Sequence, residues 1–211
     1  MVLSRVDWRW FWFKAAAHVL LLAPLAHLAW RAIRADLGPD PVAALTHGTG
    51  DWALRLLLVC LAMTPLRRLS GRSWPIRFRR MLGLYAFFYA CLHLGVYLVL
   101  DLGAYWRQIL EDIVLRPYVT AGFSAWLLLL ALALTSTRGW MRRLGRRWGQ
   151  LHKAVYAAGI LAVLHYLWLV KADLREPLLY AALLAVLLGL RLGWHWRHRR
   201  RPVAAQPTRG A

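Results

Sequence analysis

Three histidines in two apolar segments are the residues whose type and spacing point most directly to chemistry. His93 lies within RRMLGLYAFFYACLHLGVYLVLD, and His152 and His165 lie within WGQLHKAVYAAGILAVLHYLWLV. An ionisable side chain inside hydrocarbon is costly, so its presence there indicates a functional site. Neutral imidazole is also the commonest metal ligand in proteins. The spacing therefore favours a metal-containing group held between two membrane helices.

The composition of the chain places it in lipid. Of its 211 residues, 60% are hydrophobic, 13 are tryptophan and only 9 are acidic, which is too much apolar surface for a water-soluble protein. The formal net charge of +19 does not indicate a nucleic-acid partner, because the basic residues cluster between apolar runs instead of lining one face. Cys60 and Cys91 both lie inside apolar runs, which excludes a disulfide framework and a CxxC metal motif.

Hydropathy predicts an all-α, polytopic membrane protein, because a helix needs about 20 apolar residues to cross a bilayer. The first apolar run is interpreted as an uncleaved span, since no small-residue cleavage site follows it. We expect a cytoplasmic segment at 1–12, a six-helix haem-binding transmembrane bundle at 13–194 and a basic cytoplasmic tail at 195–211. The six spans are placed near 13–32, 52–68, 82–100, 118–136, 152–171 and 176–194.

The distribution of charge predicts the orientation of these spans. Arginines dominate the connections 67–80 and 137–151, whereas acidic residues dominate the connections 33–51 and 101–117. Lys and Arg are enriched in the cytoplasmic loops of membrane proteins. The arginine-rich connections and both termini are therefore expected in the cytoplasm. The acidic residues expected outside are Asp36, Asp40, Asp51, Asp101, Glu111 and Asp112.

With this orientation, His93 and His165 lie at one depth. Each follows the predicted cytoplasmic start of its span by 13 residues, or about 20 Å at ~1.5 Å per residue. Haem iron inside a helical bundle is typically held by histidines from facing helices. We predict an outer b-type haem between the third and fifth spans, with His93 and His165 as its two iron ligands.

The inner level leaves two interpretations open. His152 would be one ligand near the cytoplasmic face, and the matching position 14 residues before His93 is Arg79. A guanidinium is a poor iron ligand and pairs more naturally with a haem propionate. His152 and His165 also lie about 140° apart around an ideal helix. Either His152 binds the iron of a second haem, or an interfacial His152 hydrogen-bonds a propionate.

The remaining histidines are interpreted as structural. His18 and His27 lie nine residues apart in the first span, on opposite faces of a helix, so at most one of them faces a haem. His47, His195 and His198 are expected in a loop or in the tail. A transporter is disfavoured because no internal repeat is evident in the sequence. A scaffold would not explain why His93 and His165 lie at matched depths.

The two histidine segments carry a resemblance to a known family. RRMLGLYAFFYACLHLGVYLVLD, RRWGQLHKAVYAAGILAVLHYLWLV, the six-span layout and the total length are similar to the MsrQ (YedZ) family. These are haem-binding membrane subunits of bacterial periplasmic methionine-sulfoxide reductase systems, within the ferric-reductase-like transmembrane superfamily. The likeness covers residues 5–195. Superfamily relatives hold two stacked haems with two histidine pairs, whereas Arg79 stands here in place of one inner histidine.

The resemblance implies an electron-transfer subunit of the inner membrane rather than a catalytic subunit. Electrons would pass from the quinone pool, or from a cytosolic flavin reductase, to a periplasmic molybdopterin-containing methionine-sulfoxide reductase. The family also implies FMN, although the sequence has no GxGxxG motif. Because the chain ends 17 residues after its last predicted span, we expect an external donor and an external acceptor. The alternatives are another ferric-reductase-like or cytochrome b carrier, or a non-redox membrane scaffold.

Overall fold

The architecture is a bundle of helices, seen in a computed structural model that describes residues 8–199. Within that range the chain forms helices, turns and connections, with no strand. The expected cytoplasmic segment 1–12 and tail 195–211 therefore lie partly outside the described residues. The helices are α1 (Trp8–Ile33), α2 (Pro41–Ser70), α3 (Trp74–Val96, continued by a π-helical turn at Tyr97–Asp101), α4 (Trp106–Leu115), α5 (Pro117–Leu134), α6 (Arg138–Leu144), α7 (Arg146–Leu151), α8 (Ala154–Leu169) and α9 (Arg175–Arg199).

Five of these helices are long and apolar enough to cross a membrane. Helix α8 corresponds to the fifth predicted span at 152–171, but it has only 16 residues and begins at Ala154. The polytopic helical class is confirmed, whereas a sixth crossing does not follow from helix length alone. The five segments are Trp10–Ile33, Pro41–Ser70, Trp74–Asp101, Pro117–Leu134 and Arg175–Arg197.

The helices extend further than the apolar runs predicted, which corrects several boundaries. Helix α2 begins at Pro41, where the Asp40 carboxylate accepts a hydrogen bond from the Ala43 amide at 2.9 Å, so half of the expected connection 33–51 is helical. His47, expected in a loop, therefore lies on α2, and His195, expected in the tail, lies on α9. At the start of α3 and the end of α9, arginine side chains allow the helix to extend because their charged ends reach water where the helix leaves the hydrocarbon.

The connections between spans also contain helices that hydropathy did not predict. The outer connection 101–117 holds α4, and the arginine-rich connection 137–151 holds α6 and α7. Between α2 and α3 only residues 71–73 remain outside helices, and Gly71 ends α2 with a left-handed φ of 67°. These segments are too short or too polar to be recognised as spans, so only their packing reveals them.

Two helices contain an internal proline, and side chains of neighbouring helices hydrogen-bond to the backbone near each one. Pro65 cannot donate a hydrogen bond to the Leu61 carbonyl, and the Arg191 guanidinium of α9 donates to that oxygen at 3.3 Å. Near Pro24 of α1, the fully buried Tyr89 hydroxyl donates to the Leu21 carbonyl at 2.8 Å. Neighbouring helices thus satisfy backbone groups that the prolines disturb.

Two antiparallel helix pairs form the centre of the bundle. Helix α2 packs along α3, and α5 packs along α8. Ala86 of α3 and Ala158 of α8 are fully buried, and such small residues let membrane helices approach closely. Leu57 and Leu61 of α2 are also buried, so the core lies where the two pairs meet.

Candidate functional site

A cavity of about 360 Å³ lies between the two central helix pairs. Its volume is within the range of about 300–1,000 Å³ that is usual for cofactor sites. His93 from α3 and His165 from α8 both line it. Apolar residues such as Leu57 and Leu129 make up much of the wall. The cavity therefore joins two imidazoles with a low-dielectric pocket large enough for an organic cofactor.

His93 and His165 face each other in this cavity with nearly perpendicular rings. Their ring centroids are 6.1 Å apart, and the ring planes cross at 78°. His93 Nδ1 lies 2.9 Å from the Thr46 carbonyl oxygen, and His165 Nδ1 lies 2.7 Å from the Tyr118 carbonyl oxygen. Because a carbonyl oxygen only accepts, each Nδ1 carries the proton and donates. Each Nε2 is therefore the nitrogen whose lone pair is available to a metal.

A glycine on the neighbouring helix makes room for each histidine ring. A Cβ at Gly50 of α2 would lie 2.9 Å from His93 Nδ1, and a Cβ at Gly122 of α5 would lie 2.7 Å from His165 Nδ1. Real Cβ atoms do not approach ring atoms this closely, so a larger residue would displace each imidazole. Gly50 and Gly122 therefore position the two histidines, a role that the sequence analysis missed.

The two histidine settings are copies of each other along the chain. Tyr118, Gly122 and His165 each follow Thr46, Gly50 and His93 by 72 residues. The segments AFFYACLH at 86–93 and AGILAVLH at 158–165 share the pattern Ala-x-x-x-Ala-x-Leu-His at this same offset. The two histidine settings thus share one spacing and one pattern of contacts, which is recognised only once the structure shows which residues meet each ring.

The outer rim of the cavity is closed by a network that includes α4. Asp112 of α4 accepts a hydrogen bond from the Tyr97 hydroxyl at 2.8 Å and forms an ion pair with Arg116 at 2.9 Å. Asp112 is buried, whereas Arg116 is half-exposed and lines the cavity. His47 also lines it, near the same outer end. The rim therefore brings a cationic and an aromatic side chain to the cavity mouth.

At the inner level the structure places His152 and Arg79 near each other but outside this cavity. His152 lies between α7 and α8, so the angle calculated for one continuous helix does not apply. Its ring stacks on Trp148 with 4.0 Å between centroids, and its Nε2 lies 3.2 Å from the Thr135 hydroxyl. Arg79 is half-buried on α3, within electrostatic range of His152.

The histidines of the first helix lie away from the cavity. His18 Nδ1 lies 2.8 Å from the Tyr85 hydroxyl of α3, and His27 is exposed. Neither lines the space between His93 and His165. The interpretation of both residues as structural therefore agrees with their positions.

Comparison with known proteins identifies the family. A family model described as "Ferric reductase like transmembrane component" matches residues 49–163. A protein of Xanthomonas euvesicatoria pv. vesicatoria is 57% identical over 92% of each chain, and one of Xanthomonas campestris pv. campestris is 59% identical over 90% of each chain. A protein of Rhodospirillum rubrum is 50% identical over 89% of this chain and 90% of its own. Each of these relatives is named "Protein-methionine-sulfoxide reductase heme-binding subunit MsrQ".

The chain belongs to the MsrQ family. No solved structure matches it. The ferric-reductase-like segment runs from α2 to α8 and contains His93 and His152. Together with five apolar helices, MsrQ membership makes this chain a multi-pass protein of the bacterial inner membrane.

Proposed function

We propose that this MsrQ-family chain is a b-type cytochrome that carries electrons across the inner membrane to a periplasmic methionine-sulfoxide reductase. The observation that carries the proposal is the pair of imidazoles at 6.1 Å, each fixed through Nδ1 by a backbone carbonyl. This arrangement presents two Nε2 lone pairs from facing helices, which is how helical proteins hold haem iron. The name of the relatives, which includes the words heme-binding subunit, supports the haem.

The outer cavity fits a haem in the chemistry of its donors and in its largely apolar lining. His93 and His165 would hold the iron, Gly50 and Gly122 keep their rings in place, and Arg116 at the rim would pair with a propionate. A bound haem supplies reversible one-electron chemistry. The chain's own contribution is to orient the imidazoles and to exclude water with apolar walls. It also keeps the proton of each imidazole on Nδ1, which donates to a backbone carbonyl oxygen.

Two arrangements fit the inner level. In one, His152 binds the iron of a second haem and Arg79 pairs with a propionate. In the other, His152 itself donates to a propionate and no second iron is bound. Both use the proximity of Arg79 to His152 and the position of His152 at the break between α7 and α8. The number of haems per chain separates these arrangements.

For the topology, we propose six crossings with both termini in the cytoplasm. Helix α8 would be the sixth, because its 16 residues span about 24 Å and it pairs with α5 through the centre of the bundle. Arginines occupy the ends of α2 and α9, the start of α3 and the helices α6 and α7, whereas Asp and Glu residues occupy the opposite ends. This asymmetry supports arginines inside and carboxylates outside.

The donor and acceptor of electrons are external to the chain in this proposal. The donor is the quinone pool or a cytosolic flavin reductase, and the acceptor is a molybdopterin-containing catalytic subunit in the periplasm. The relatives' name, which includes protein-methionine-sulfoxide reductase, supports the acceptor. FMN is a further cofactor in this proposal, and it is implied by the family resemblance alone.

An absorption spectrum of the purified, full-length protein tests the proposal. We expect a haem Soret band that shifts when dithionite is added, with one or two haems per chain. A colourless but folded protein would overturn the cytochrome assignment and favour a scaffold. A transporter, like a scaffold, needs no haem, so the same spectrum separates it from the proposed carrier.

A further inference from the structure

Arg191 of α9 is half-buried, and only some of its hydrogen-bond donors have partners. Its Nη2 donates to the Leu61 carbonyl at 3.3 Å, and its guanidinium covers the Tyr156 ring at 4.7 Å. Its Nε is buried and has no partner, and neither has the buried hydroxyl of Thr64. Thr64 lies one helical turn after Leu61, so both groups belong to the same region of α2. Unsatisfied buried polar groups are costly and call for an explanation.

Two further arginines converge on this region from other helices. Arg79 of α3 and Arg68 of α2 both lie within electrostatic range of Arg191 of α9. The Cys60 thiol donates to the Arg79 carbonyl at 3.3 Å, which places the start of α3 beside the turn of α2 that contains Leu61. Arg68 lies over the Trp194 ring at 4.9 Å. Three helices thus bring three positive charges together at the inner end of the bundle.

No carboxylate of the chain compensates these charges within the described residues 8–199. The three ion pairs found there join Asp51 to Arg55, Glu111 to Arg107 and Asp112 to Arg116. The sequence has no acidic residue at 52–100, 113–172 or 177–211. Like charges gathered in a partly buried place repel each other and lose hydration. Within residues 8–199, no carboxylate is therefore placed to balance them.

We propose that Arg191, Arg79 and Arg68 form a binding site for the oxyanion group of a bound cofactor or lipid, with the Thr64 hydroxyl as a fourth donor. Guanidinium groups bind carboxylate and phosphate oxygens through paired hydrogen bonds. The oxyanion is either a propionate of an inner haem, in which case the inference rests on the proposed function, or a phosphate, in which case it does not. The same donors serve both sources.

The test compares neutral variants of the full-length protein purified in one detergent. Arg191→Gln removes the charge but keeps an amide donor for the Leu61 carbonyl, and Arg79→Gln removes the second charge. Arg68→Gln changes an exposed residue, so this variant is expected to fold like the wild type. Arg147→Gln is the matched control, because Arg147 is exposed on α7 of the arginine-rich connection and is not among the charged groups that act on Arg191. Haem per chain, midpoint potentials and bound phosphorus compounds are measured for each.

Either of two results supports the site. Loss of a bound phosphorus compound with unchanged haem identifies a phosphate, and its affinity should fall at least about tenfold for one charge-assisted bond removed. A lower midpoint potential of one haem component identifies a propionate. A positive charge near a haem stabilises its reduced form, so removal of that charge makes reduction less favourable. If all three variants match both wild type and Arg147→Gln, the oxyanion site is wrong. The proposed function then still stands if the His93 and His165 variants lose haem.

Discussion

His93 and His165 are the residues on which the proposed electron carrier depends most directly. Each ring has Nδ1 hydrogen-bonded to a backbone carbonyl and Nε2 available to a metal, and both rings line the same cavity. We expect His93→Ala and His165→Ala each to lose most of the low-spin haem, measured by absorption spectra and haem content. His18→Ala is the control, since His18 lies beside Tyr85 and does not line the cavity. A variant with wild-type haem would refute the ligand assignment.

Gly50 and Gly122 provide a test that leaves both ligands in place. An added Cβ would lie 2.9 Å from His93 Nδ1 at Gly50→Ala and 2.7 Å from His165 Nδ1 at Gly122→Ala. We expect both variants to shift the haem spectrum and to lower haem retention, because the ring must move away from its carbonyl acceptor. Gly95→Ala is matched in chemistry and lies on the same helix as His93, but its Cβ meets nothing within 4 Å. Equal spectra for all three variants would show that the rings are not constrained by these glycines.

Variants at His152 and Arg79 distinguish the outer haem from a second haem at the inner level. We expect His152→Ala to leave the outer haem low-spin while removing or altering a second spectral component. Arg79→Ala should lower a midpoint potential if Arg79 pairs with a propionate, because a positive charge near haem favours the reduced form. Redox titration of both variants measures these changes. Unchanged haem content and unchanged potentials in both would contradict an inner haem.

At the scale of the element, the attachment of α4 to the bundle depends on Asp112. Its Asp112 has an 8% exposed side chain that holds both Tyr97 and Arg116. We expect Asp112→Asn to weaken the attachment by ~1–2 kcal/mol, since Arg116 is half-exposed and partly screened. Amide hydrogen exchange across 106–115 should then be about tenfold faster. Glu111→Gln is the control, because its ion pair with Arg107 is exposed; equal exchange in both variants would contradict this role of Asp112.

At the scale of the whole molecule, the acidic outer surface should guide the soluble partner. Of the six acidic residues expected on this surface, three form ion pairs with arginines, namely Asp51, Glu111 and Asp112. The other three, Asp36, Asp40 and Asp101, are exposed. Opposite charges raise association rates and act less strongly as salt increases. In vesicles of known orientation, quinol should support reduction of the partner only on the side of the 33–51 and 101–117 connections. Neutralising the three exposed aspartates to Asn should slow this reaction at low salt and have little effect at high salt.

Electron delivery on the arginine-rich side alone would overturn the topology and the direction of transfer. The Asn variants keep a side-chain acceptor at position 40, so the N-terminus of α2 retains its cap. A loss of rate that persists at high salt would indicate a structural effect instead of steering. Measuring both salt conditions therefore separates the two causes.

The sequence by itself determined the membrane class, the helical content and the family resemblance. These properties follow from apolar length, charge distribution and the depths of His93 and His165, all of which are local along the chain. The positions of Pro117 and Pro177 in the first turns of α5 and α9 were predictable for the same reason. A span needs only its own residues to be recognised.

Tertiary structure alone decided which carbonyls and which glycines position the histidines. Thr46 and Gly50 lie on a different helix from His93, and the two sets of residues meet only when α2 packs along α3. Hydropathy also could not predict that His47 lies on a helix or that Arg191 bonds to the Leu61 carbonyl. A hydropathy value is an average over a window of sequence and does not report contacts between distant segments. Contacts of this kind depend on packing between helices, and packing is a property of the fold as a whole.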